Sequence, residues 1–146
     1  MLVDNNRILT YDYAIVRVVP RVERGEFVNV GVIVCCARQN YLEARIELDE
    51  GRLRAIDPTV DVEAIAANLA TIPLICAGGP AAGPIGRLSV RERFDWLVAP
   101  RSTVIQTAAV HIGRCDRLDG AIEHLLDRMV RPPVLHRARF TPGDAG

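Results

Sequence analysis

The stretch VNVGVIVCC, residues 28–36, is apolar at almost every position, so however it is pleated it presents apolar side chains on both faces. A strand of that kind belongs at the centre of a sheet. Simple alternation over Phe27–Cys36 puts Val28, Val30, Val32, Val34 and Cys36 on one face and Phe27, Asn29, Gly31, Ile33 and Cys35 on the other. Gly31 marks a bulge or a place where another backbone or a ligand comes close. Asn29 has two readings. A buried amide costs about 1–3 kcal/mol unless it finds partners, so it either satisfies a neighbouring loop or floors a polar pocket.

A first strand precedes it. From Tyr13 to Val19, Ala14, Val16 and Val18 alternate with Tyr13, Ile15, Arg17 and Val19. Pro20, Glu23, Arg24 and Gly25 then supply a turn, and the two strands are expected to pair as an antiparallel hairpin. Leu42–Leu48 alternates cleanly, with Leu42, Ala44, Ile46 and Leu48 inward and Glu43, Arg45 and Glu47 toward water.

Helical spacing follows. Asp61 can cap a helix whose stripe is Val62, Ile65, Ala66, Leu69 and Ile72, with Pro73 ending or kinking it. CAGGPAAGPIG, residues 76–86, reads as a loop. Ser89 and Glu92 form a capping-box pattern for a short helix to about Val98, which Pro100 closes. Thr103–Val110 reads as a late strand. Ile122, Leu125, Leu126, Met129 and Val130 form a last amphipathic helix, ended by Arg131-Pro132-Pro133. The expected fold is therefore α+β: a single domain over residues 1–131, a mainly antiparallel sheet of about four strands packed with helices, and a flexible tail over 132–146.

Composition narrows the chemistry. The 18 basic residues balance 18 acidic ones, so no global field draws the chain to nucleic acid or anionic lipid. All the basic residues are arginine, which excludes a Schiff-base lysine, a pyridoxal-phosphate anchor and a P-loop lysine. Cys35, Cys36, Cys76 and Cys115 lack C-x-x-C spacing, so neither a zinc site nor any other metal or cofactor is called for; buried thiols in a reducing cytoplasm fit better. The sequence shows no signal-peptide pattern and no run approaching the roughly 18 apolar residues of a membrane span.

Two segments carry the candidate chemistry. In the first, Arg24, Glu26 and Asn29 gather around the hairpin; Arg24 and Glu26 serve equally as a surface ion pair. In the second, Arg101, Ser102, Thr103 and Gln106 collect donors suited to an anion, and His111 is the chain's best titratable group near neutral pH. Alternation places Arg101, Thr103, Ile105, Thr107, Ala109 and His111 on one face, unless a bulge intervenes.

The motifs YDYAIVRVVPRVERGEFVNVGVIV and LSVRERFDWLVAPRSTVIQTAAVHIG resemble a bacterial family of small proteins known as domain of unknown function 3037, over Tyr11 to about Val130. The resemblance implies recurring polar positions at Arg17, Glu23, Arg24, Glu26, Asn29, Arg101, Ser102, Thr103, Gln106 and His111. It also implies a partner role, since genes of that family neighbour those of HipA-like kinases. Arg114-Cys115-Asp116-Arg117 departs from the family pattern, with Asp116 standing for one of two carboxylates.

The leading expectation is a cytoplasmic accessory module that binds a protein partner, a HipA-like kinase. The alternative is an enzyme acting on a phosphate-bearing substrate: Arg24 and Arg101 neutralise the anion, Glu26 or His111 moves a proton, and Asn29, Ser102 and Gln106 orient the substrate. That alternative requires the two segments to meet. A third reading, nucleic-acid binding through Arg128, Arg131, Arg137 and Arg139, is disfavoured by an aromatic content of 5%, which leaves few stacking platforms.

Overall fold

The computed structural model describes residues 8–133. Five strands and five α-helices follow in the order β1 (Leu9–Val18), β2 (Val28–Cys36), β3 (Tyr41–Ile46), α1 (Glu50–Ile56), α2 (Val62–Leu69), α3 (Thr71–Ala77), α4 (Val90–Val98), β4 (Ile105–Thr107), β5 (His111–Cys115) and α5 (Leu118–Leu125). The strands form one antiparallel sheet in the order β3-β2-β1-β4, with β5 also paired to β1. This is an α+β fold in a single domain.

β2 lies inside the sheet and is covered on both faces, as its composition requires. α1–α4 cover one face through Leu53, Ile65, Leu69, Ile75, Phe94 and Leu97. α5 and the π-turn Leu126–Val130 cover the other through Leu118, Ile122, Leu125, Leu126 and Val130.

Simple alternation fails along β2, and the cause is local. Val16 pairs with Gly31 but Arg17 pairs with Asn29, so Val30 is an extra residue in a β-bulge. Val28 and Val30 therefore share the α1–α4 core with Ile33 and Cys35, while Val32, Val34 and Cys36 face α5. Gly31 is required by close approach: a Cβ there would lie 2.6 Å from the Arg45 carbonyl oxygen and 2.6 Å from Ile46 Cδ1.

The late strand is two strands. β4 and β5 both run antiparallel to β1, but the register steps by one residue between Arg17↔Gln106 and Tyr13↔His111. That step breaks the face count over 101–111. Ile105 and Thr107 pair with Val18 and Val16 on the α1–α4 side, whereas His111 pairs with Tyr13 on the α5 side.

Other boundaries differ for equally local reasons. The helix expected through Ile72 breaks at Ala70, and Pro73 sits in the first turn of α3, where a missing N–H costs little. Glycine–proline-rich Pro80–Arg87 winds into 3₁₀ turns with a break at Gly83. α1 is capped by Asp49, whose Oδ1 accepts from the Arg52 amide at 3.1 Å. The Ser89–Glu92 box forms in both directions. Arg45 and Glu47 lie on the partly exposed face expected of them and there pair with the C-terminal segment: Arg45 with Glu123 of α5, and Glu47 with Arg131, which bonds both its oxygens at 2.8 Å. Residues 134–146, most of the expected tail, lie outside the described residues.

Candidate functional site

A cleft of about 670 Å³ opens between α2–α3, the end of α4 and the free edge of β4. Its floor is apolar, with Ile65, Ile72, Ile75, Leu97, Val104 and Ile105. These residues belong to or pack on the α1–α4 core, so the cleft is where that core reaches the surface.

Its charged groups are bonded within the fold. Arg101 donates through Nη1 to the Leu97 carbonyl at 3.0 Å and through Nη2 to the Trp96 carbonyl at 2.8 Å, and its guanidinium carbon lies 4.7 Å from the centre of the Trp96 ring. It thus caps the C-terminus of α4, where a cation suits the helix dipole. Asp61 caps α2 by accepting from the Ala64 amide at 3.1 Å. Asp57, 7% exposed, accepts from the Thr59 hydroxyl at 2.7 Å and amide at 3.0 Å, with Arg21 at 3.4 Å. The Thr59 hydroxyl and amide, then Arg21, hold its carboxyl below the usual range.

The walls differ in charge. No basic residue occurs between Arg54 and Arg87, while Asp57 and Asp61 line the cleft, so the α2–α3 wall is acidic; Arg101 stands on the opposite wall.

Of the residues expected to form a site, Arg101, Thr103 and Gln106 line this cleft. Ser102 is exposed beside it, and Thr103 Oγ1 donates to the Ile105 carbonyl at 2.9 Å. Arg24 and Glu26 form an exposed pair at 2.6 Å and do not line the cleft. Asn29 donates through Nδ2 to the Met129 carbonyl at 2.9 Å, tying the bulge to the π-turn after α5. His111 is exposed on the opposite face, its ring 5.7 Å from that of Tyr13.

The two polar segments do meet, but on the α5 side and through a third residue. Asn29 and Gln106 are the cross-strand partners of Arg17 on its two sides. The Arg17 guanidinium carbon stands 4.5 Å from the centre of the Phe27 ring, and its Nε has no hydrogen-bond partner among the described residues. Glu26 and His111 belong to neither this row nor the cleft. The residues that shape the cleft, Ile65, Asn68, Ile72 and Ile75, gave no signal beyond the helical stripe of any core.

Among the described residues no group of three His, Cys, Asp or Glu side chains is placed to hold a metal ion. No single described helix is long and apolar enough to cross a membrane. The cysteines are unpaired; burial raises the Cys35 thiol to about 11 and the Cys76 thiol to about 12.

Fold and cleft together define a small α+β domain with a preformed apolar cleft beside an open sheet edge. A family model described as a protein of unknown function, DUF3037, matches residues 13–130, and the chain belongs to that family. No curated protein and no solved structure matches the chain.

Proposed function

We propose that this protein is an interaction module that holds a mainly apolar segment of a protein partner in the cleft between α2–α3 and β4. The observation that carries the reading is the cleft itself: about 670 Å³ with an apolar floor, and rim charges spent on capping α4, capping α2 and fixing the Asp57–Thr59 turn. A ligand there gains mostly from burial, at about 25 cal/mol per Å² of apolar surface. The partner suggested by the family resemblance is a HipA-like kinase in the cytoplasm.

The phosphate-chemistry alternative finds less support, because Arg24, Glu26, Asn29 and His111 do not line the cleft and the donors of Arg101 are directed at α4. The nucleic-acid reading weakens too, since Arg131 is held by Glu47, Glu123 and Asp127; Arg137 and Arg139 lie outside the described residues.

The test is calorimetric titration of the full chain with a purified HipA-like kinase. Ala64 lines the cleft yet is exposed on α2, so Ala64→Trp fills the mouth without entering the core. A complex weakened about tenfold or more by Ala64→Trp, and unchanged by His124→Ala on α5, is expected. Absence of a complex, or one indifferent to Ala64→Trp, refutes the reading.

A further inference from the structure

Among the described residues the outer edge of β4 is unpaired, and the ladder shows which main-chain groups it offers. Val19 N–H donates to the Val104 carbonyl at 2.6 Å and Ala108 N–H to the Ile15 carbonyl at 2.8 Å. In an antiparallel pair the bonding residues alternate, so Val104, Gln106 and Ala108 point their main-chain groups at β1 while Ile105 and Thr107 point theirs away. The Ile105 carbonyl is occupied by the Thr103 hydroxyl at 2.9 Å. Among the described residues the Ile105 N–H, the Thr107 N–H and the Thr107 carbonyl have no partner. The side chains of the same two residues line the apolar cleft.

We infer that the partner segment binds as an added β-strand: it pairs with the outer edge of β4, buries alternate apolar side chains in the cleft, and places a basic residue against Asp61. This rests on the interaction-module reading and specifies the partner's conformation and sequence pattern. Main-chain bonds to Ile105 and Thr107 fix the segment's register, and the cleft selects residues at i and i+2. The charge preference follows from the α2–α3 wall, which presents Asp57 and Asp61 to the cleft with no basic residue between Arg54 and Arg87. Asp57 is already paired with Arg21, whereas Asp61 is exposed and has one carboxylate oxygen beyond the one that caps α2. A helical ligand fits less well, because it would leave the β4 edge unpaired.

A random twelve-residue peptide library displayed on phage and panned against the full chain tests this. Enriched peptides should alternate apolar residues, carry an arginine or lysine at one end, and lose binding to Ala64→Trp. Thr107→Pro removes the outward N–H without touching a bond to β1, and Thr107→Val is its matched control; both lose the Thr107 hydroxyl bond to Val98. Binding should fall about tenfold or more with Thr107→Pro, with Thr107→Val close to the parent chain. Asp61→Asn keeps the helix cap and should weaken binding severalfold at low salt only.

Peptides sensitive to Ala64→Trp but indifferent to Thr107→Pro, or patterned i, i+3, i+4, would overturn strand addition while leaving the cleft as the binding site. Failure to enrich any peptide sensitive to Ala64→Trp would overturn strand addition and remove support from the cleft. Circular dichroism of Thr107→Pro shows whether the fold is kept. Should it unfold, the Thr107→Pro comparison passes to enriched peptides N-methylated on one or the other alternate set of residues: loss of binding with one set only is expected, and binding retained with both sets would overturn strand addition.

Discussion

Replacing Asn29 separates a structural amide from a ligand-binding one. Its Nδ2 donates to the Met129 carbonyl at 2.9 Å, joining the β2 bulge to a turn one hundred positions later in sequence. A hydrogen bond of this kind contributes about 0.5–1.5 kcal/mol net, so Asn29→Ala should cost about 1 kcal/mol. For a domain near this size, that lowers Tm by about 2–4 °C. Asn29→Asp, made in an Arg17→Met background so that the cross-strand guanidinium cannot neutralise it, is the sharper probe: it sets a carboxylate against a carbonyl oxygen and should cost about 1 kcal/mol at neutral pH. The new carboxyl would have a folded-state pKa above its unfolded value of about 3.9, since its charged form faces an acceptor. The penalty is therefore full above the folded pKa and vanishes below the unfolded one, where the protonated acid can donate as the amide did. Urea melts of the Arg17→Met chain with and without Asn29→Asp, between pH 7 and pH 3.5, read this directly. Convergence at low pH is expected; equal stability at pH 7, or a gap that does not close, would refute the structural role.

Further outcomes follow from the same structure. Gly31→Ala forces a Cβ onto the Arg45 carbonyl and Ile46, and overpacking of this sort costs about 1–3 kcal/mol; an unchanged urea midpoint would show that β3 can move aside. Arg131 hydrogen-bonds Glu47 and thereby holds its carboxyl below the usual range, so the stability from that pair is present above the unfolded pKa of about 4.3 and is lost as pH falls through the lower folded value. Arg131→Met should accordingly be less stable than the parent at pH 7, with a smaller difference near pH 3. In native protein at pH 8, Cys115, the only partly exposed thiol of the four, should react first with a thiol reagent, with Cys35 and Cys76 protected by burial until unfolding.

What the sequence disclosed and what it concealed have physical causes. The interior position of β2 was legible because both its faces are apolar, and the caps at Asp61 and Ser89 because their partners lie three residues away. Two register steps were hidden, one at Val30 and one between β4 and β5, since a bulge depends on cross-strand pairing and not on composition. These steps decided the site. The first turned Asn29 toward the π-turn after α5, and the second sent His111 to the face opposite the cleft. Arg101 reads in sequence as a donor for an anion, and its role as the cap of α4 was hidden because it depends on where Pro100 lets the chain turn. The cleft was illegible because Ile65, Ile72 and Ile75 carry the same helical spacing whether a neighbour covers them or leaves a gap. β5 and α1 are short and polar enough to give no periodic signal.

The central claim, that partners engage the cleft and the β4 edge, is tested most directly by amide chemical shifts. Unlabelled HipA-like kinase is added to the ¹⁵N-labelled full chain. The account predicts shifts or broadening centred on Ala64, Asn68, Ile105 and Thr107, with Glu26 and His111 unmoved. Shifts centred on the Arg24–Glu26 turn or on His111, or none at all, would contradict it.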